Sequence, residues 1–306
     1  MNAMLVFDLC ETILITLLLV LTIPFACVIY WKLLVVPPFA ENFTFKLIVF
    51  NGATALLNGV AYLLSFQLTS YPFMLAFYEF VKYNNLSTTV AIINRFFNEM
   101  SLYTALFVAL NRLKTVLSVR LKGNDQTFFF ISIIGSLLLT LPTIIDLVTF
   151  TTSDYVIDKI PWKNNTLIIV FPITKTTGSE IPSRISSTLS IVVSLATLVV
   201  NVILVVYLIK ERQKFERPEY RKFNVEIRLM ITSVVSYIFY MLFSINTVVA
   251  SIWRVPFAAG AQFLFLGLSS LTPFWCLIIF TPSIRRLALS KNAEVSVVSI
   301  PPSLVS

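Results

Sequence analysis

The chain has 306 residues, of which 57% are hydrophobic and 12% charged, with a mean hydropathy of +0.87. A water-soluble domain of this length carries about a quarter charged residues, so the composition excludes an ordinary soluble globule and points to a membrane protein. Histidine is absent, which removes His-ligated zinc, Ser–His or Cys–His catalysis and histidine proton relays, and the net charge of +8 follows topology rather than nucleic acid.

Apolar runs long enough to cross a bilayer, where about 20 residues are needed, predict an all-α bundle of seven spans. They cover approximately 12–35, 45–68, 92–118, 126–150, 185–210, 228–253 and 257–280. Asp8 and Glu11 precede the first span, and Lys32 lies at its other end. With the N-terminus outside and the C-terminus inside, 16 of the 23 basic residues fall on the inner side, the positive-inside signature. Cys10, Cys27 and Cys276 lie in or beside three different spans, so no disulfide is expected. The first span lacks the basic start of a cleavable signal peptide and is too long for one.

In chain order, the first span contains Pro24 and closes on Tyr30-Trp31-Lys32, an aromatic belt with a basic anchor. The second repeats Asn51-Gly52 and Asn58-Gly59 seven residues apart, on nearly one helical face. This is either a seam where small residues let helices approach or a site for an ion or water. From Ser70 to Val90 the sequence is rich in aromatics, with Tyr71, Phe73, Phe77, Tyr78, Phe80 and Tyr83. It reads as an interfacial helix or lid, or as an early start of the third span.

The third span organises the chain. Arg95, Asn98, Glu99, Leu102 and Tyr103 share one face at i, i+3, i+4, i+7 and i+8. Charge within a membrane helix is costly and marks function, so this face is either a polar floor for an external ligand or an Arg95–Glu99 pair that neutralises itself. Asn111, Arg112 and Lys114 close the span at its other end. The fourth span carries Pro142 and Asp146 near its outer end, the latter lining the interior or snorkelling to the surface.

Tyr155–Trp162 and Leu167–Ile173 flank Lys163-Asn164-Asn165 and read as a β-hairpin in the second outer loop. Asn164 and Asn85 begin glycosylation sequons on the side expected to face out, and Asn42 begins one on the side expected to face in. The charged run from Lys210 through Arg212 to Arg221 and Lys222 extends the inner ends of the fifth and sixth spans. Asn246 and Gln262 sit in the outer thirds of spans six and seven. Beyond Pro282, Ile284 to Leu289 with Arg285 and Arg286 reads as a short amphipathic eighth helix on the inner leaflet, with its basic residues toward anionic lipid. Residues 291–306 have no periodicity and are expected to be a disordered tail.

Ile23-Pro24 through Tyr30, Leu110-Asn111-Arg112, and Gly267-Leu268-Ser269-Ser270-Leu271-Thr272-Pro273 running to Ser283-Ile284-Arg285-Arg286 carry a resemblance. Within a seven-span pattern covering roughly Thr12 to Leu289, they resemble the nematode serpentine chemoreceptors, class gamma and its relative class V, and more broadly G-protein-coupled receptors. The resemblance implies a multi-pass plasma-membrane protein of a sensory neuron or cilium, signalling through a heterotrimeric G protein. An external small molecule or peptide would then meet Arg95, Asn98, Glu99, Tyr103, Asp146, Asn246 and Gln262. The G protein would meet Asn111, Arg112, Lys114, Lys210, Arg212, Arg221, Lys222, Arg285 and Arg286.

The chain departs from the rhodopsin-like pattern at three places. Asn111-Arg112-Leu113 stands where an Asp/Glu-Arg-Tyr motif would be, and Thr272-Pro273-Phe274-Trp275-Cys276 where Asn-Pro-x-x-Tyr would be. The disulfide from the third helix to the loop is missing as well. A seven-span ligand-gated channel or transporter is the competing class, although no internal repeat divides the chain into halves. No enzyme activity and no cofactor are expected, and the last span has no lysine to carry a retinal Schiff base.

Overall fold

A chain surrounded by hydrocarbon must satisfy its own backbone, and a helix does so within one segment. The structure, a computed structural model, describes residues 3–37, 39–68, 71–117, 125–162, 165–176, 181–212, 231–235, 237–246 and 256–289. Its helices are α1 (Ala3–Val35), α2 (Phe43–Tyr62), α3 (Leu75–Tyr83), α4 (Ser87–Leu117), α5 (Asp125–Phe150), α6 (Ile181–Arg212), α7 (Ile231–Asn246), α8 (Pro256–Phe280) and α9 (Pro282–Leu289). Two antiparallel strands, β1 (Thr151–Trp162) and β2 (Asn165–Thr176), follow α5, in a register that pairs Thr151 with Thr176 and Trp162 with Asn165.

Cys10–Val35, Phe43–Gln67 and Asp125–Ile145 are long and apolar enough to cross a membrane, and Ile191–Tyr207, Ile231–Asn246 and Leu264–Phe280 are shorter apolar helices. With 31 residues, α4 is long enough to cross but is interrupted by Arg95, Asn98, Glu99, Asn111, Arg112 and Lys114. Leu17, Val20, Leu21 and Phe25 on α1, Ile131, Ile134, Leu138 and Ile145 on α5, and Val199, Val202 and Val206 on α6 are all exposed. So continuous an apolar surface would drive association in water and suits a lipid surround. The protein is a membrane protein.

Helices α2 and α4 form the centre, and three polar clasps seven residues apart on α2 join them in antiparallel order. Asn111 Nδ2 donates to Thr44 Oγ1 (2.9 Å), the Thr104 hydroxyl lies 2.9 Å from Asn51 Oδ1 and 3.3 Å from the Thr54 hydroxyl, and Asn58 Nδ2 donates to Asn98 Oδ1 (3.4 Å). A seven-residue spacing keeps each clasp on the facing side of two nearly antiparallel helices.

The glycines beside two of these asparagines look the other way. A Cβ on Gly52 would overlap the Tyr30 hydroxyl of α1, and one on Gly59 would come within 2.9 Å of Ser270 Cβ on α8 and 3.3 Å of Leu19. The repeated Asn-Gly is thus a packing seam: amides toward α4, bare backbone toward α1 and α8. On the same side, Trp275 Nε1 donates to Thr22 Oγ1 (2.9 Å), and Lys32 Nζ reaches the carbonyl of Leu287 in α9 (3.0 Å).

Helix boundaries depart from the apolar runs where polar residues extend a helix. α1 begins at Ala3 and α4 at Ser87, because a helix continues past the hydrocarbon edge as long as its residues are good helix formers. The aromatic stretch is a separate helix, α3, divided from α4 by Asn84, Asn85 and Leu86. Asn85 takes φ 54°, a left-handed conformation that asparagine tolerates and that ends the helix. Both ends of span six, residues 228–230 and 247–253, lie outside the described residues, as do Asn164, Arg221, Lys222 and the tail 291–306.

Candidate functional site

At the α2 end where the Asn58–Asn98 clasp lies, the polar face of α4 gathers partners from three other helices. Glu99 is fully buried. Its Oε2 accepts from Thr143 of α5 (2.8 Å) and from Tyr103 one turn along α4 (3.3 Å), and its Oε1 lies 3.0 Å from Arg95 Nε. Arg95 is one-third exposed, so the pair runs from the dry interior to an accessible edge. Asn98 Oδ1 accepts from Asn58 of α2 and, at 3.4 Å, from the Tyr240 hydroxyl of α7. Arg95, Asn98, Glu99 and Tyr103 thus form one cluster that ties α2, α4, α5 and α7 together.

An intrahelical pair with the cation on the N-terminal side is the less favourable order, and even the better order contributes only about 0.2–0.5 kcal/mol. Taking a carboxylate out of water costs several kcal/mol. Helix stability therefore does not account for Glu99; the hydroxyl donors do, Thr143 from the neighbouring α5 and Tyr103 from α4 itself.

Asn246 lies on α7 six residues beyond Tyr240, about 9 Å further toward the same end. It is half-buried, and its Nδ2 is buried without a hydrogen-bond partner among the described residues. Asp146 and Gln262 belong to α5 and α8, but their side chains lie outside the described residues.

Thr143, Tyr240 and Thr104 were not legible as site residues, and Asn58 was legible only as part of a seam or of an ion or water site. A signal for Thr143 did exist: Ser132, Ser136, Thr140 and Thr143 recur at i, i+4, i+8 and i+11 on α5, and all are buried. Ser132, Ser136 and Thr140 return their hydroxyls to carbonyls four residues earlier, while Thr143 spends its hydroxyl on Glu99. A row of small hydroxyl residues of this kind lets a neighbouring helix approach closely.

Below the cluster lies a cavity of about 60 Å³, lined among others by Asn51, Ser101, Asn201, Tyr237, Tyr240 and Pro273. That volume suits water and falls far short of the roughly 300 Å³ at which drug-sized pockets begin. Asn201 is buried, and its Oδ1 has no partner among the described residues, the kind of group a buried water satisfies. Tyr240 therefore touches the polar cluster on one side and this cavity on the other.

At the opposite end of α4, Asn111 is clasped to Thr44, Arg112 is almost wholly buried, and Lys114 pairs with Asp125 at the start of α5 (2.8 Å). Arg285, Arg286 and Lys210 are exposed, and the side chain of Arg212 lies outside the described residues. The residues expected to couple thus divide into an exposed set on α9 and α6 and a covered one at the end of α4. Asn85 is exposed between α3 and α4, and Asn42 is the N-cap of α2, its Oδ1 accepting from the Thr44 amide (2.9 Å).

No protein-family model matches the sequence, and no curated protein matches it significantly. Among solved structures, the crystal structure of squid rhodopsin matches with a TM-score of 0.65, covering 99% of this chain and 90% of that chain at 13% identity. The fold is rhodopsin-like. At that identity the likeness carries the architecture alone, and within this rhodopsin-like bundle α8 has no lysine to form a Schiff base.

Proposed function

We propose that the chain is a receptor of the G-protein-coupled type, with the end of α4 that bears Arg95, Asn98 and Glu99 facing outward and α9 facing the cytoplasm. The observation that carries this reading is the buried Glu99 cluster joining four helices within a rhodopsin-like bundle. A charge kept in the interior of a membrane bundle, at a cost helix stability does not repay, marks a working site. An external small molecule or peptide binding one arrangement of these helices better than another shifts the population toward it. Tyr240 carries that preference along α7 toward the inner ends, where the buried Arg112 becomes accessible to a heterotrimeric G protein.

The basic residues Arg285, Arg286 and Lys210, and the run through Arg212, Arg221 and Lys222, supply the inner surface under this orientation. Under this reading, and in line with the serpentine chemoreceptor resemblance, the protein belongs in the plasma membrane of a sensory neuron or cilium and carries carbohydrate on Asn85 and Asn164.

The test is expression in a heterologous cell with a promiscuous G protein, screened against chemically diverse extracts, with epitope tags at both termini. The expected result is ligand-evoked G-protein activation with the N-terminal tag stained on intact cells. Arg112→Ala is expected to abolish activation with surface expression retained. A ligand-gated current that needs no G protein, or a C-terminal tag stained on intact cells, would overturn the reading.

A further inference from the structure

Helix α3 has three distinct sides. Tyr78 and Val81 are buried against Tyr155 of β1, the two tyrosine rings 5.0 Å apart. Glu79 and Lys82 form a charged, exposed edge. On the third side Phe77, Phe80 and Tyr83, at i, i+3 and i+6, continue the line of Phe73 in the preceding Pro72–Met74 turn. Phe73 is 72% exposed, Phe80 59% and Tyr83 88%.

The buried side is tied to the bundle through α2. That helix ends in a π turn, Leu63–Gln67, which loosens the regular i→i−4 pattern and frees carbonyls. The Tyr78 hydroxyl donates to Leu64 O (2.5 Å) and the Tyr155 hydroxyl to Ser65 O (3.3 Å). Helix α3 is thereby held at the level where α2 ends and α4 begins, and its aromatic side points away from the protein.

We propose that α3 lies in the headgroup layer of the bilayer, with Phe73, Phe77, Phe80 and Tyr83 in lipid and Tyr78 bracing the β-hairpin against the bundle. The height is fixed by the two spans it connects. Aromatic rings beside a charged edge are the composition that partitions to this layer, and four exposed rings on one face are unfavourable in water. The inference rests on the bundle spanning a membrane and not on the receptor reading.

The experiment uses the full chain in phosphatidylcholine vesicles, with Cys10, Cys27 and Cys276 replaced by serine and a nitroxide placed through Phe80→Cys or, as the control on the same helix, Glu79→Cys. Collisions with oxygen, which concentrates in lipid, are compared with those of a water-soluble nickel complex. The expected result is a several-fold higher oxygen-to-nickel ratio at 80 than at 79. Equal nickel access at both positions would overturn the proposal, as would protection of 80 from both reagents together with crosslinking to a second copy. A second variant, Phe80→Trp, guards against a labelling artefact: its added emission is quenched by brominated lipid if the proposal holds and unquenched if it does not.

Discussion

Thr143→Val removes one hydroxyl and keeps the shape of the side chain, so it isolates what Thr143 gives to Glu99. The bond is 2.8 Å long and its acceptor is a carboxylate with no exposed surface. Hydrogen bonds between membrane helices average about 0.6 kcal/mol, because the separated helices find other partners. A charged acceptor roughly doubles the strength, and the alternative here is a buried oxygen short of a donor, which adds to the cost. The expected loss is about 1–2 kcal/mol, or roughly 2–6 °C in the unfolding midpoint of detergent-solubilised protein. With the exposed Cys10 and Cys27 replaced by serine, Cys276, buried in α8, gives the readout through a thiol-reactive dye. The decisive measurement is the double-mutant cycle with Glu99→Gln. Contact predicts coupling of about 1 kcal/mol between the two changes. Strict additivity would refute the assignment of Thr143 as a donor to Glu99.

The packing seam predicts that Gly59→Ala destabilises by about 1–3 kcal/mol through overpacking, since the new Cβ meets Ser270 Cβ at 2.9 Å. Adding Ser270→Gly should return part of the midpoint; no recovery would mean that the clash is taken up elsewhere. Burial pushes the Tyr155 phenol up to about 12, and burial, helped by neighbouring Tyr155, also raises Tyr78. An unfolded tyrosine loses its proton near pH 10, so between about pH 10 and 12 the undocked state binds fewer protons than the docked one. Docking of the hairpin is thus fully held below about pH 10 and weakens as the pH climbs toward 12. Ultraviolet titration of phenolate should show one fewer late-titrating tyrosine in Tyr155→Phe, and an unchanged count would contradict the burial of this side chain.

Membrane residence, a largely helical architecture, a helix beyond Pro282 and the polar face of α4 were legible in the sequence. Each is a local property: hydrocarbon length, periodicity near 3.6 residues and the scarcity of charge are all read along one segment. The same local reasoning left the Arg95–Glu99 spacing open between a self-contained pair and a shared site. The fold alone brought Thr143, Tyr240 and Asn58 to that face, from 44, 142 and 40 residues away in the chain for the bonds they make. Likewise the seven-residue Asn-Gly repeat announced a stripe on α2, but only the assembled bundle decided that its amides meet α4 and its glycines meet α1 and α8. Side-chain type and spacing are fixed within a helix by its geometry. Which helix lies opposite is fixed by packing across the whole chain, and no single segment carries that information.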